Sequence, residues 1–412
     1  IIDEEHESAY KSDNMPRYHA RETAIERARI SNGLVVMGSA TPSLEAYFKA
    51  EKGEYTLYCL HNRAVNKSVL PTTHIVDLRE ELKNGNKSIF STKLRELILD
   101  RLEKREQIIL FLNRRGYAGF ISCRQCGAVI KCPHCDVSLT AHANGRLVCH
   151  YCGYTKPIPK TCPTCNSPYI AGFGLGTQKV EAMVQATFPG IKTLRMDMDT
   201  TSKKGQHQEI LSKFSAGEAD VLIGTQMIVK GNYFPNVTLV GILAADMSLY
   251  AGDYRAVEKT FQLITQAAGR AGRGEKEGDV VIQTYNPQHY GIIGAANQDY
   301  LSFYKQEMLY RKMLRYPPAA YMLVVLVASP KEEKAHELVN RFAQLIMKQC
   351  EEIVLIGPSD APVSKIKDIY RKLLYLKAVK EETLILAKDK MEDYFHNQVQ
   401  TADILIQFDF GS

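Results

Sequence analysis

Eight of the ten cysteines in this 412-residue chain fall between Cys123 and Cys165, as the Cys-x-x-Cys pairs Cys123/Cys126, Cys132/Cys135, Cys149/Cys152 and Cys162/Cys165. Five, thirteen and nine residues separate successive pairs. A two-residue gap lets both thiolates of a tight turn face one ion, and Zn²⁺ takes four soft ligands in a tetrahedron, so four pairs predict two closed Cys₄ sites. Gly127 and Gly153 follow the first and third pairs and supply the left-handed residue such knuckles need, while Pro133 and Pro163 stiffen the other two. The competing readings are a disulfide scaffold and a thiol redox motif, but disulfide-dense folds belong to short secreted chains. His134, His142 and His150 have ligand chemistry, yet eight thiolates already fill two sites.

Spacing alone allows three ways of combining four pairs into two sites. A nested arrangement fits best, because Asp136 to Val148 reads as a hairpin turning at Asn144-Gly145, with the second and third pairs at its base. Cys132, Cys135, Cys149 and Cys152 then form one site, resembling a zinc ribbon. Cys123, Cys126, Cys162 and Cys165 form the other, closing the neck where the insertion leaves its host.

A chain of this length holds two or three domains. Apolar and charged contents of 45% and 24% are ordinary for globular proteins and give no reason to expect long disorder. The net charge of +6 permits a nucleic-acid partner without arguing for one. The longest apolar run, Tyr321 to Ala328, is far short of a membrane span, and no signal peptide opens the sequence, so a reducing cytoplasm and no membrane partner are expected. Ile1-Ile2 reads as the tail of a buried strand, which makes the chain look like a piece of a longer protein.

Asp3-Glu4-Glu5-His6 stands at that strand's end, where ligands bind in α/β domains. A helix from about Arg17 to Ile30 leads to an apolar run, Gly33 to Met37, expected to be another strand. It delivers Gly38-Ser39-Ala40-Thr41-Pro42-Ser43. Alternating helices and strands resume near Lys93 and continue, around the cysteine block, to a strand at Asp279 to Gln283; this alternation implies a parallel sheet covered on both faces. From about Pro287 the order becomes strand-helix-strand-strand-helix-strand, the signature of a ferredoxin-like domain. The expected fold class is α/β; the resemblance to superfamily-2 helicases carried by Asp3 to His6, Ser39 to Thr41 and Gln266 to Arg273 implies the end of one RecA-like lobe and its linker at 1–85. A second lobe occupies 86–120 and 169–288, split by a zinc-binding insertion at 121–168. A C-terminal α+β domain fills 289–412.

Asp3-Glu4 has the form of a Walker-B pair, in which one carboxylate holds Mg²⁺ and the next orients water. Gln266-x-x-Gly269-Arg270-x-Gly272-Arg273 sets two guanidinium groups at fixed spacing, suited to charge on a γ-phosphate. Taken singly, an acidic turn and a basic helix end are the blander readings. In series, Asp3 to His6, Ser39 to Thr41 and Gln266 to Arg273 resemble motifs II, III and VI of superfamily-2 helicases. Together with Phe111-Leu112-Asn113-Arg114-Arg115-Gly116-Tyr117, the four cysteine pairs and Gly174-x-Gly176-Thr177-Gln178, they resemble the PriA (primosomal protein N′) family of bacterial replication-restart helicases.

That resemblance implies an ATP-driven 3′-to-5′ DNA helicase that binds forked or single-stranded DNA and reloads the replication machinery. It implies ATP, Mg²⁺ and two zinc ions as cofactors, paired in the nested way. The implied partners are other primosome proteins, the replicative helicase loader and single-stranded DNA-binding protein. Asp3, Glu4, Glu5, His6, Gln266, Arg270 and Arg273 become catalytic candidates; Asp3, Glu4, Gly269, Arg270 and Arg273 become nucleotide contacts. Asn113, Arg114, Arg115, Thr225, Gln226 and Lys230 become DNA contacts, the last three in motif V with Gly231. Asn232-Tyr233 and Gly252 depart from the family's spelling. Arg195, Asp197 and Asp199 match a further family segment, and the C-terminal domain resembles a ribosomal S10-like domain that helps bind forked DNA, where Lys365, Lys367, Arg371, Lys372, Lys377 and Lys380 form a basic run. No Gly-x-x-x-x-Gly-Lys-[Ser/Thr] occurs, so the 412 residues alone are expected not to hydrolyse ATP. The alternative is a zinc-ribbon module that binds DNA or a partner on a degenerate, non-hydrolysing helicase fold.

Overall fold

The computed structural model describes residues 1–12, 17–60, 70–112, 119–142, 144–172, 176–197, 199–201, 203, 205–229, 234–272, 276–399 and 403–411. They fall into two units: Ile1–Cys59, His150–Tyr154 and Tyr304–Ser412 in the first, Leu60–Cys149 and Thr155–Phe303 in the second.

The second unit is built on six parallel strands: β1 (Thr72–Asp77), β2 (Gln107–Leu112), β3 (Thr193–Met196), β4 (Val221–Gly224), β5 (Val237–Leu243) and β6 (Asp279–Thr284). Their spatial order is β1-β6-β5-β2-β4-β3. Every residue of β2, β4 and β5 is buried, which is why these strands read as unbroken apolar runs; the edge strands β1 and β3 are only half-buried. Helices Thr92–Glu103, Thr177–Thr187, Gln206–Ser215 and Ala256–Ala268 alternate with these strands, as the sequence pattern from Lys93 onward implies. Amphipathicity fixes their inward faces, with Leu94 and Ile98 on the first and Phe261 and Ile264 on the last fully or almost fully buried.

The first unit contains a four-stranded antiparallel sheet of β7 (Tyr321–Ser329), β8 (Val354–Ile366), β9 (Ile369–Ala378) and β10 (Leu405–Phe410), ordered β8-β9-β7-β10. Helices Glu332–Gln349 and Glu381–Gln398 connect these strands in the ferredoxin-like sequence. Leu323, Val325 and Val327 share one core with Phe342 and Ile346 of the first helix and Leu384 and Met391 of the second.

Several expectations are corrected. Strand β1 was assigned to the linker, within 1–85, but it pairs along its whole length with β6, from Thr72↔Asp279 to Asp77↔Thr284, and is an edge of the second unit's sheet. Residues 289–303 stay with the second unit, where helix Tyr290–Ala296 lies against helix Ala256–Ala268. His150–Tyr154, assigned to the insertion, belongs to the first unit, with the ring of Tyr151 4.7 Å from that of Tyr375. The two expected strands at Ile1-Ile2 and Gly33–Met37 reduce to a single parallel bridge, Ile2↔Met37. Ile1, Leu34 and Val36 are exposed.

Candidate functional site

The eight cysteines gather as two groups of four, Cys123/Cys126/Cys162/Cys165 and Cys132/Cys135/Cys149/Cys152, with all ligand atoms of a group within 4.8 Å of one another. The nested pairing is therefore the one adopted. Sulfur–sulfur distances of 3.6 Å for Cys123–Cys165 and Cys126–Cys162 are far too long for disulfides. They suit a tetrahedral ion, since Zn–S bonds of about 2.3 Å place sulfurs about 3.8 Å apart. No histidine joins either group among the described residues.

Local structure brings the ligands together. The outer group sits where Ile121–Cys123 pairs antiparallel with Ile170–Gly172, so the insertion's two ends are zipped at its neck. The inner group is carried by a three-stranded ribbon of Thr140–Ala141, Arg146–Val148 and Thr155–Pro157, whose first two strands form the expected hairpin. Burial pushes the Cys126 thiol up to about 12. Burial acts the same way on Cys162, but backbone N–H groups of Cys165 and Thr164 and the neighbouring thiols bring it down to about 6. Thiols pushed in opposite directions within one tight group suit a cation, whose binding displaces their protons.

In the first unit, motifs II and III are stitched together by their backbones: Ile2 N–H donates to Val36 O (2.8 Å), Gly38 N–H to Ile2 O (2.9 Å) and Glu5 N–H to Gly38 O (3.1 Å). His6 Nδ1 lies 2.7 Å from Ser39 Oγ, with its side chain only 4% exposed. Asp3 and Glu4 face solvent. Glu4 has a left-handed backbone, φ 49°, and its N–H donates to Asp3 Oδ1 at 3.1 Å; such local strain is a mark of functional turns.

Glu5, expected among the catalytic residues, is 3% exposed and fully engaged. Its Oε1 accepts from Ser43 N–H (2.6 Å), and its Oε2 accepts from Ser43 Oγ (2.9 Å) and from Arg21 Nη1 (2.7 Å). Glu5 is thus a buried anchor that holds motif II against the helix starting at Leu44, while Asp3 and Glu4 are the carboxylates open to a ligand. Arg21 carried no sequence signal, because its partner lies sixteen positions away in the chain.

In the second unit, Gln266 occupies the last turn of helix Ala256–Ala268, Gly269 caps it, and Arg270 N–H donates to Ala267 O at 3.0 Å. Gln266, Gly269 and Arg270 are all partly buried. Gly272 is the second glycine of this motif. Its backbone lies so close to that of Gly278 that a Cβ on it would come within 2.8 Å of Gly278 N. Gln226 is exposed at the start of a single turn, Gln226–Val229, after β4. Thr225, expected to touch DNA, is 3% exposed and faces the interior, with a hydroxyl that has no hydrogen-bond partner among the described residues.

Asp197 accepts from Thr177 Oγ1 at 2.5 Å and lies 3.1 Å from Arg195 Nε, joining two family segments recognised separately in the sequence. Burial would raise the Asp197 carboxyl, but the bonds from Thr177 and the Thr200 backbone hold it below the usual range. Asp199 N–H in turn donates to Asp197 Oδ1 at 3.0 Å. Asn113, Arg114, Arg115, Lys230 and Arg273 lie outside the described residues, as do Gly116, Tyr117, Gly174, Gly231, Asn232 and Tyr233.

Three family models match the chain: the PriA DNA helicase Cys-rich region at 132–157, the helicase conserved C-terminal domain at 164–275 and the primosomal protein N C-terminal domain at 312–409. The replication restart protein PriA of Bacillus subtilis is 48% identical over 413 residues, covering 100% of this chain and 51% of the relative. Its namesake in Synechocystis is 42% identical, covering 92% of this chain and 47% of the relative. That of Chlamydia muridarum is 40% identical, covering 96% and 53%. The chain therefore spans about half the length of these curated relatives.

Proposed function

This chain belongs to the PriA family of replication restart proteins, and from that premise we propose that it serves in an ATP-driven 3′-to-5′ DNA helicase that binds forked or single-stranded DNA and reloads the replication machinery. The observation that carries the proposal is the junction of motifs II and III. His6 turned inward onto Ser39 at 2.7 Å, with Asp3 and Glu4 left open to solvent, is an arrangement with a use in a nucleotide-driven motor and none in a passive binding module.

In this reading Asp3 holds the nucleotide's Mg²⁺, whose charge neutralises the β- and γ-phosphates when bound, and Glu4 orients the attacking water. Glu5 and His6 fix the loop from below. Gln266, Gly269, Arg270 and Arg273 serve the γ-phosphate. Gln226, Asn113, Arg114, Arg115 and Lys230 meet the DNA backbone, with Thr225 positioning the motif V turn. The two zinc ions are structural and supply folding energy to the insertion. Primosome proteins, the replicative helicase loader and single-stranded DNA-binding protein are the partners in this role, which is cytoplasmic; no described helix is long and apolar enough to cross a membrane. The 412 residues alone contain no Gly-x-x-x-x-Gly-Lys-[Ser/Thr] to fix the β-phosphate and so do not turn over ATP.

The test is DNA-stimulated ATPase of the full-length protein with Arg273→Ala, for which kcat falls by roughly a thousandfold while forked-DNA affinity holds. Loss of DNA affinity with surviving hydrolysis makes Arg273 a phosphate-backbone contact. Absence of any ATPase in the wild type returns the chain to the non-hydrolysing module.

A further inference from the structure

The hairpin that follows motif II is held from outside the motif. Tyr10 Oη donates to the backbone carbonyl of Asp3 at 2.7 Å, so this hydroxyl helps set where the exposed carboxylate sits. The next residue, Lys11, reaches Asp409 Oδ1 at 2.6 Å and Phe410 O at 3.2 Å. From the returning arm, Arg17 Nη1 reaches the other oxygen, Asp409 Oδ2, at 2.9 Å. The two arms are joined by the bridge Lys11↔His19 and by Ser12 N–H donating to Tyr18 O. Asp409 belongs to β10, the last strand of the C-terminal domain, where it pairs with Val324.

Asp409 has a side chain only 9% exposed, while Lys11 and Arg17 are 23% and 26% exposed. A carboxylate so shielded, with one cation on each oxygen, is a directed clamp rather than a surface pair, and removing it strands two cations. A second, independent tie runs the same way. Tyr304, on the helix that leads into the C-terminal domain, donates to Glu51 Oε2 at 2.7 Å and packs edge-on to Tyr47 at 4.6 Å. Glu51 ends the helix that Ser43 caps, and Ser43 also holds Glu5.

We propose that Asp409 is a positioning residue for ATP hydrolysis: by clamping Lys11 and Arg17 it fixes Tyr10 and, through it, the Asp3 backbone, so that the C-terminal domain sets the geometry of motif II. This inference rests on the reading of Asp3 as the Mg²⁺ carboxylate. Asp409 touches no reacting atom, and its effect travels through its pairs with Lys11 and Arg17, the backbone from Lys11 to Tyr10 and the Tyr10–Asp3 hydrogen bond. Displacements of this kind, remote from the chemistry, cost up to about a hundredfold in rate.

The experiment is steady-state ATPase of the full-length protein on forked DNA as a function of Mg²⁺ concentration. Asp409→Asn keeps the shape and removes the charge; it is expected to raise the Mg²⁺ concentration for half-maximal rate several-fold and to lower kcat about tenfold. Asp409→Glu restores most of both. Lys11→Gln reproduces part of the Mg²⁺ shift, and the Lys11→Gln/Asp409→Asn double variant adds little to Asp409→Asn alone, which already breaks the Lys11 contact. An unchanged Mg²⁺ requirement in Asp409→Asn, or additive effects in the double variant, overturns the clamp. Asp3→Asn is the control: if it leaves turnover intact, the motif II reading has failed, whereas its loss of turnover beside a normal Asp409→Asn enzyme sinks only the clamp.

Discussion

The two thiolate clusters have the same chemistry and different foundations. Gly127, which follows the first cysteine pair, and Gly153, which follows the third, share a backbone φ of 76°. A Cβ on Gly127 would lie 2.4 Å from the carbonyl oxygen of Tyr285, just past the end of β6. On Gly153 the nearest atom would be Pro358 O at 3.4 Å, an ordinary contact. The outer cluster is thus seated, backbone on backbone, against the parallel sheet of the second unit, and Arg79 from the end of β1 extends toward Cys126 O. The inner cluster is carried by its own ribbon, whose turn glycine, Gly145, has nothing within 4 Å of a Cβ. The outer cluster therefore closes the neck of the insertion against the sheet, while the inner one is built from the ribbon together with the short segment His150–Tyr154 that carries Cys152.

The strongest way to break that contrast is to delete each site in turn. Structural zinc is worth on the order of 10 kcal/mol of folding energy. Cys162→Ser/Cys165→Ser is expected to reduce bound zinc from two ions to one, unzip the neck strands and lower the melting temperature together with the ATPase of the full-length protein. Cys132→Ser/Cys135→Ser loses one ion as well, but unfolds only the ribbon; ATPase survives while fork unwinding or partner loading fails. Zinc analysis, melting curves, ATPase and unwinding on both double variants decide it. Equal loss of ATPase in the two would mean that both sites prop up the lobe.

The next largest effect isolates the seat. Gly127→Ala combines left-handed strain with a collision against a backbone carbonyl that cannot swing aside, a cost of about 3–4 kcal/mol. Thermal denaturation registers this as a large drop in midpoint, with faster zinc release to a chelator from the outer site only. A change below about 1 kcal/mol would show that Tyr285 yields easily and that the seat is soft.

The sequence made these clusters legible and left their foundations hidden, for a physical reason. Cysteine spacing is a local code, and the hairpin between Cys135 and Cys149 could be read from Asn144-Gly145; the buried strands β2, β4 and β5 announced themselves as apolar runs because parallel strands are covered on both faces. Contacts between distant segments have no such code. Nothing near Gly127 points to Tyr285, nothing near Glu5 to Arg21, and nothing near Lys11 to Asp409. Edge strand β1 was missed because Thr72-Thr73-His74 is polar where a buried strand would be apolar. Gly33–Met37 errs the other way: its residues are apolar, but among the described residues one bridge alone pairs them.

The seat also predicts a pH dependence. Tyr285 N–H donates to Asp246 Oδ2 at 2.9 Å and Thr284 Oγ1 to its Oδ1 at 3.1 Å, so the segment against Gly127 hangs on a carboxyl that is 2% exposed. Burial, helped by the nearby Asp77, outweighs those bonds and raises Asp246 to about 6. A carboxyl raised on folding penalises the fold when ionised: the penalty is present above about 6 and fades as pH falls toward the unfolded value near 3.8. Asp246→Asn cannot ionise, so its stability relative to wild type is expected to be best at pH 8. The difference should narrow by about 1.5 kcal/mol by pH 5, at roughly 1.4 kcal/mol per unit in the window below 6. Parallel melting curves across that range test the slope, and a flat difference would mean that Asp246 is already ionised in the folded state without penalty.

The smallest effect is the one that makes the contrast quantitative. Gly153→Ala keeps the same left-handed φ as Gly127→Ala and lacks its collision, so it isolates the cost of the backbone conformation. That cost is about 1 kcal/mol, with no change in zinc content. Subtracting it from the Gly127→Ala value leaves the contribution of the Tyr285 contact alone, because both alanines replace the residue immediately after a ligand pair. Two similar melting midpoints would erase the distinction between a seated and a carried site. A Gly153→Ala loss larger than that of Gly127→Ala would reverse it, placing the rigid foundation at His150–Tyr154, where Ser359 Oγ donates to His150 O at 2.9 Å.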